Sequence, residues 1–342
     1  MAAVGPGVGG FDQESAILAE AFAPYVTDNV FQSNRVTKVA YDSSVRIDEG
    51  RYLALPLMTA KNQTAQSFGQ YDTLSSGPQS LLAVAAFPWS WYQAAVTIDY
   101  QTLRLVRGPN MRVDNLTFQV QAAIASLADL IGNDITNTSK GPSSLTGVPA
   151  LGIIEASDNG VNYNVYGNIA RTGTNSLAAW QGQVTTLATS GIGNASNDFS
   201  RGGAFRIYTA ASIGDATPTH VFGNQQAVAS FMFSMDSMLR VSPGDSANPY
   251  LGNPHILGAE VIGDNHIAAT TSGSNLAYSF YFMNMNHTRM WYFGYKGFDY
   301  VPWIDTPNVL SKTSRYVIAF QFASDEPRLN GQYNNFNDLS NL

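Results

Sequence analysis

Met111-Arg-Val-Asp-Asn-Leu-Thr-Phe-Gln-Val-Gln-Ala-Ala-Ile-Ala-Ser-Leu-Ala-Asp-Leu130 is the stretch on which the reading of this chain turns. Leu116, Val120, Ala123, Ile124, Leu127, Leu130 and Ile131 recur at helical spacing and form one apolar stripe. Asp114 or Asn115 can cap its start, and Gly132, directly after the last apolar residue, reads as its stop. A long β-like stretch containing Phe87-Pro-Trp-Ser-Trp91 precedes this helix. Asp134, a polar turn and Gly147-Val-Pro-Ala-Leu-Gly152 follow it, with no domain linker between.

Working outward towards the start, residues 1–10 are rich in Gly and Ala. Phe11–Phe31 has helical spacing through Ile17, Leu18 and Phe22, broken at Pro24. Such a helix, followed by an extended tract at 35–50, suits an arm outside the main core. Arg51–Pro56 is β-like, residues 58–80 are polar and loop-like, and Leu81–Asp99 is β-like again. Two strands around so long a loop predict an extended hairpin with little core of its own. In an isolated chain its flanking residues Tyr52, Leu53, Leu55, Leu81 and Leu82 are expected to be exposed.

On the far side, residues 132–175 are rich in Gly, Asn, Ser and Thr. Ser176–Thr189 reads as a weak helix through Leu177, Trp180, Val184 and Leu187. Ala204–Ala210 and Pro218–Phe222 read as strands. Gly223-Asn224 turns the chain into a helix over 225–239, whose stripe is Val228, Phe231, Met232, Met235 and Met238. That stripe reads as core, since Met fills irregular gaps. Glu260–Ile262, Ala277–Met285, Met290–Tyr295 and Tyr316–Ala323 are strand-like. The element order implies an α+β fold with segmented domains, and there is no internal repeat.

Composition narrows the function. Charged residues are only 13% of the 342, against 44% apolar; the usual charged share is roughly 25%. A surface poor in charge suits a protein that buries its outside against neighbours. Thirteen Arg against five Lys point the same way, because a guanidinium tolerates interface burial better than an ammonium. The net charge of −7 argues against a dedicated nucleic-acid binder. Without cysteine there are no disulfides and no thiolate metal sites. No apolar run approaches the length of a membrane span, and the first residues lack the pattern of a secretory signal.

Catalytic motifs do not emerge. Gly5-Pro-Gly7-Val-Gly-Gly10 matches a dinucleotide fingerprint formally, but no strand precedes it and Pro6 occupies the turn. His220, His255, His266 and His287 show no metal-ligand spacing, although Asp264 and His266 could share an ion with His287. Asp325-Glu326, beside Pro327, reads as a solvated turn. Arg104, Arg107 and Arg112 form a basic cluster. It can meet phosphates or pair with acids on a neighbouring subunit, the reading favoured by the acidic total. No catalytic residue, cofactor site or metal site is expected.

The order of arm, extended hairpin, long helix and later aromatic strands resembles the major capsid proteins of tailed bacteriophages, the Hong Kong 97-like fold. The closing part of the resemblance is Tyr281-Phe-Met-Asn284, Trp291, Phe298, Trp303, Tyr316-Val-Ile-Ala-Phe-Gln-Phe322 and Pro327-Arg-Leu-Asn-Gly331. The resemblance covers residues 11–335. It implies an N-terminal arm at 1–50, an extended β-hairpin loop at 51–88, and a peripheral domain with a long spine helix at 89–145. An axial domain at 146–285 and a C-terminal return to the peripheral domain at 286–342 complete it. It further implies a coat protein forming hexamers and pentamers of an icosahedral head around double-stranded DNA bound non-specifically. Such a head assembles in the host bacterial cytoplasm and resides in the virion, with separate scaffolding, portal and decoration proteins as possible partners and no membrane.

Under that resemblance Tyr52, Leu55, Lys61, Phe68 and Tyr71 are candidate intersubunit contacts. Leu116, Val120, Ile124 and Leu127 form the spine-helix core, facing the C-terminal strands. Arg104, Arg107 and Arg112 are interface or DNA-facing. Two departures stand out. A long helical scaffolding segment is not apparent, and Lys61, the lone Lys of the loop, has no identifiable Asn partner for the crosslink that some members make. An encapsulin-like compartment shares the fold and is the alternative. An enzyme with an unrecognised site is the reading from another class.

Overall fold

The computed structural model describes residues 34–74, 76–77, 81–101, 109–136, 152–173, 177, 180–186, 199, 201–236, 254–272, 275–294, 298–305 and 309–337; over 109–117, 186, 201, 233–236, 270–272, 275–276, 335 and 337 the description is of the backbone. In chain order the elements begin with α1 (Arg35–Asp42), β1 (Val45–Ile47), β2 (Tyr52–Met58), β3 (Leu82–Pro88), β4 (Ser90–Asp99) and α2 (Pro109–Thr136). Then come α3 (Ile153–Ser157), β5 (Val165–Tyr166), β6 (Ile169–Ala170), β7 (Gln183–Thr186), α4 (Arg201–Ala211), β8 (His220–Gly223) and α5 (Gln225–Asp236). The rest are β9 (His255–Ile256), β10 (Ala259–Gly263), β11 (Thr270–Ser272), β12 (Asn275–Met283), β13 (Thr288–Phe293), β14 (Asp299–Asp305), β15 (Ser311–Ser324) and β16 (Gly331–Asn337). The mixture is α+β, as the sequence implies. The helix expected over 11–31 lies outside the described residues.

Contacts divide the chain into two compact units. The described part of the first lies within Tyr92–Leu130 and Gly297–Ile318. There β14 pairs antiparallel with the first half of β15, bringing the Tyr300 and Tyr316 rings to 5.5 Å. The register slips between Val301 and Ile304. Pro302 lies inside that interval and has no N–H to give to a ladder, which is where a strand tolerates a bulge. The strand β4 also pairs with β15, and the Thr97 and Thr313 hydroxyls lie 3.0 Å apart.

The second unit comprises Asn34–Trp91, Ile131–Lys296 and Ala319–Leu342. Its centre is a seven-stranded sheet ordered β7-β16-β12-β8-β10-β9, with β11 on β12. The strands β8 and β10 run parallel, with Val221 opposite Val261, so α5 is their crossover. Asn224 starts that helix by accepting the Gln226 N–H at 2.9 Å. The core gathers Phe231 from α5, Ala204 and Ile207 from α4, and Phe280, Phe282, Tyr333 and Phe336 from the sheet. Phe199 lies edge-on to Phe231, Phe280, Tyr333 and Phe336 at 5.2–5.8 Å, a favoured ring geometry. A second set of strands in this unit joins β1 parallel to β13, and β13 antiparallel to the last residues of β15.

A polar hub ties these strands together. The Asn330 amide donates to Thr288 Oγ1 at 2.9 Å and Ser324 Oγ at 3.2 Å, and its oxygen accepts the Asn284 N–H at 3.0 Å. All four residues are buried, and mutual satisfaction keeps that burial from being costly.

Three expectations need correction. Residues 204–210 are helical, not a strand. Ala204, Ile207 and Ala211 are all fully buried, a three- and four-residue spacing that suits one helical face. Within 176–189, where a helix is expected, the described residues Gln183–Thr186 form a strand. Gln183–Thr186 pairs parallel with β16, and a Cβ on Gly182 would sit 2.1 Å from the Ser157 carbonyl. Tertiary pairing overrides a weak helical period there. Finally, Gly132 does not end α2, which continues to Thr136. A Cβ at Gly132 would lie 1.9 Å from Asn34 Nδ2, so this glycine makes room for the residue that caps α1 through the Thr37 N–H.

Candidate assembly surface

The strands β2 and β3 form a ribbon whose pairs sort into two faces. Leu53–Phe87, Leu55–Ala85 and Leu57–Ala83 point one way; Tyr52–Pro88, Ala54–Ala86, Pro56–Val84 and Met58–Leu82 point the other. Leu53, Leu55, Leu57, Ala85 and Phe87 are buried. They rest on the β5–β6 hairpin, where the Phe87 ring meets Tyr166 edge-on at 4.9 Å and Ala86 N–H donates to Gly167 O at 3.0 Å. Gly167 makes this approach possible. Its φ of 57° suits a residue without Cβ, and a Cβ there would lie 2.7 Å from the Phe87 ring.

The other face is also apolar, and it is bare. Tyr52, Val84, Leu82 and Met58 are 48%, 57%, 72% and 77% exposed. This corrects one expectation: Leu53 and Leu55 are covered by their own chain, and the exposed set is their cross-face neighbours. Beyond the ribbon, Thr59 closes the hairpin onto the Leu81 carbonyl at 2.9 Å. The loop carries Phe68, Tyr71 and Leu74, all largely exposed. Local turns shape it, with Asn62 Oδ1 accepting the Thr64 N–H and Asp72 Oδ2 the Gly69 N–H. Lys61 is exposed.

The other candidate residues are placed as follows. Leu127 is buried, at 2% exposure, while Val120 and Ile124 are half-buried. The Leu116 and Arg112 side chains, and Arg104 and Arg107 entirely, lie outside the described residues; so do the Met235 and Met238 side chains. The pair Asp264 and His266 is a joint, not half of a site shared with His287. Asp264 Oδ1 meets His266 Nδ1 at 2.8 Å, and its Oδ2 accepts the Val36 N–H at the start of α1. His287 instead meets Asp325 at 3.0 Å and Glu326 at 3.6 Å, and Glu326 also accepts from Arg328. The expected solvated turn at 325–326 is therefore a half-buried ionic cluster. Burial raises the Asp325 carboxyl against the pull of His287, and burial lowers His220 against the pull of Glu260. Among the described residues no group of three potential ligands gathers around a metal position. No described helix is long and apolar enough to cross a membrane.

One cluster has no counterpart in the sequence reading. Arg171 is fully buried. Its Nε donates to Trp180 O at 3.1 Å, its Nη1 to Glu155 O at 2.8 Å, and its guanidinium lies 4.4 Å above the Tyr166 ring. Glu155 and Asp158 are buried beside it. A short polar stretch around a lone Arg carries no period or motif, so nothing in the linear pattern separates it from surface.

No family model matches the sequence, and no curated protein does. Solved structures do. The capsid asymmetric unit of cyanophage A-1(L) aligns over 94% of this chain and 97% of its own, with TM-score 0.66 at 11% identity. The capsid of a native GTA particle aligns over 94% and 97% with TM-score 0.59 at 9% identity. The SrpI encapsulin of Synechococcus elongatus PCC 7942 aligns over 96% and 97% with TM-score 0.57, also at 9% identity. The chain has the fold of phage capsid proteins.

Proposed function

We propose that this chain is the major capsid protein of a tailed bacteriophage. It assembles as hexamers and pentamers into the icosahedral head shell that encloses double-stranded DNA, in the host bacterial cytoplasm. The observation that carries the proposal is the ribbon β2–β3, apolar on both faces and covered by its own chain on one. A bare apolar face this continuous marks a contact surface, and repeated contacts that close on themselves build shells. The fold likeness supplies the type of shell.

In this reading residues 1–50 are the arm, 51–88 the extended loop, 89–145 with 286–342 the peripheral domain, and 146–285 the axial domain. The helix α2 is the spine, with Leu116, Val120, Ile124 and Leu127 towards the C-terminal strands. Tyr52, Met58, Leu82 and Val84, with Lys61, Phe68 and Tyr71 of the loop, meet the neighbouring subunit. Leu55 supports them from beneath. Arg104, Arg107 and Arg112 serve a subunit interface or the inner surface near DNA. The role is structural, without catalysis, cofactor or metal.

Sedimentation and negative-stain microscopy of native material should give megadalton closed particles; purely monomeric behaviour at high concentration, with any scaffold supplied, contradicts the proposal. Replacing residues 61–76 by a short Gly-Ser link should leave the circular-dichroism spectrum intact and impair particle formation. Particles of normal size and heat resistance from that variant would remove the loop from the interface. The likeness to an encapsulin favours one second reading, a nanocompartment shell. Double-stranded DNA inside purified particles supports the phage head, and a protein cargo the compartment.

A further inference from the structure

The Glu155–Arg171 cluster is assembled from two neighbouring segments of the second unit. The helix α3 is only five residues long, and every one is buried. Gln332 Nε2 holds it by donating to Ile154 O at 2.6 Å and Ser157 Oγ at 2.8 Å. Gly182 N–H holds its exit through Asp158 O at 2.8 Å. Asp158 is engaged by the Gly160 and Tyr163 N–H groups and by Asn162 Nδ2. Trp180 donates its indole N–H to Tyr166 O, and Gln181 its amide to Arg171 O. Almost every polar group is therefore fixed by a stated partner.

Arg171 Nη2, by contrast, is buried and has no hydrogen-bond partner. The guanidinium touches Glu155 through that residue's backbone carbonyl, not its carboxyl group. A buried cation with an orphan donor is costly, and an ionised carboxylate is the acceptor that suits it best. Such an acceptor is adjacent and withheld. Burial pushes the Glu155 carboxyl up to about 8, against the attraction of Arg171 and with the repulsion of Asp158. The other titratable groups facing it are Tyr163 and Tyr166, both raised first by burial and further by the Glu155 charge.

We propose that Glu155 and Arg171 form a proton-operated latch. While Glu155 carries its proton, Arg171 is held by the carbonyls of Glu155 and Trp180 and by the Tyr166 ring. When Glu155 releases the proton to solvent, its carboxylate turns to Arg171 Nη2. The helix α3 and the turn at 180–182 then shift together, because Arg171 bridges them. The two arrangements differ by one proton, with no bond made or broken. The sign follows from linkage. A carboxyl raised from 4.5 to about 8 gives stability that is complete below pH 4.5. That stability falls as pH rises and is gone above about 8.

Hydrogen exchange of the full-length protein tests the latch, read on peptides spanning 153–182 between pH 5 and 9.5 and corrected for intrinsic rates. Protection is expected to change in one step with a midpoint below about 8, because pairing with Arg171 favours the ionised carboxyl, and with little change in peptides from β8, β10 and β12. In Glu155→Gln the step should vanish, and protection should stay at the low-pH level throughout. Absence of a step in the unmodified protein overturns the latch, whether or not the variant folds. A step that persists unchanged in a folded Glu155→Gln overturns it too, since another group would then be titrating.

Discussion

The ribbon β2–β3 and the seven-stranded sheet are both apolar, yet they spend that character differently. The sheet is closed over by its own helices: Phe280 and Phe336 are fully buried and stacked at 5.2 Å. The ribbon has one face closed by the β5–β6 hairpin and leaves the other open, Leu82 and Met58 being mostly exposed. The first pattern serves the stability of one chain. The second leaves apolar area unburied, which one chain gains nothing from and a neighbour can cover. Burial, not hydrophobicity, separates the core from the face left open.

The comparison breaks first at the core. Phe280→Ala should remove a fully buried ring touching Phe199, Phe231 and Phe336, costing about 3–5 kcal/mol, measured by denaturant unfolding. A loss below about 1 kcal/mol would mean that the sheet is no better packed than the ribbon. Leu127→Asp places an unpaired carboxylate at a position 2% exposed and should cost on the order of 3 kcal/mol. Soluble Leu127→Asp subunits that assemble normally would contradict a buried Leu127. The paired change Met58→Glu with Leu82→Glu should alter stability within roughly 0.5 kcal/mol, as surface changes do, while abolishing particles on a sizing column. If the double variant unfolds instead, the bare face belongs to the chain's own core and the contrast is lost.

Some of this was legible in the sequence. The stripe through Leu116 and Leu127 announces α2, and Gly223-Asn224 announces the turn into α5, because local chemistry sets both. The hairpin was legible from its two runs, but not which of its faces was covered. Strand alternation distinguishes two faces only when one is polar, and here both are apolar. The role of Gly132 was hidden because a glycine ending a helix and a glycine admitting a neighbour look alike in sequence; Asn34 decides between them from nearly a hundred positions away. The Arg171 cluster was invisible for the same reason, since its partners come together only through folding.

The Asn330 hub has a consequence for chemical ageing. Asn330 precedes Gly331, the pair in which the following backbone nitrogen most easily attacks the side-chain amide and expels ammonia. In the folded chain that amide is tied to Thr288, Ser324 and the Asn284 N–H, so it cannot swing into position. Asn159 also precedes a glycine, but it is only half-buried and its oxygen is held by one N–H, that of Val161 at 3.2 Å. Mass spectrometry of protein stored at mildly alkaline pH should find acid at 159 well before 330. Equal conversion at both would mean that the hub opens in storage. An intact amide at 330 is then a record, written in the covalent chain, that the subunit has stayed folded.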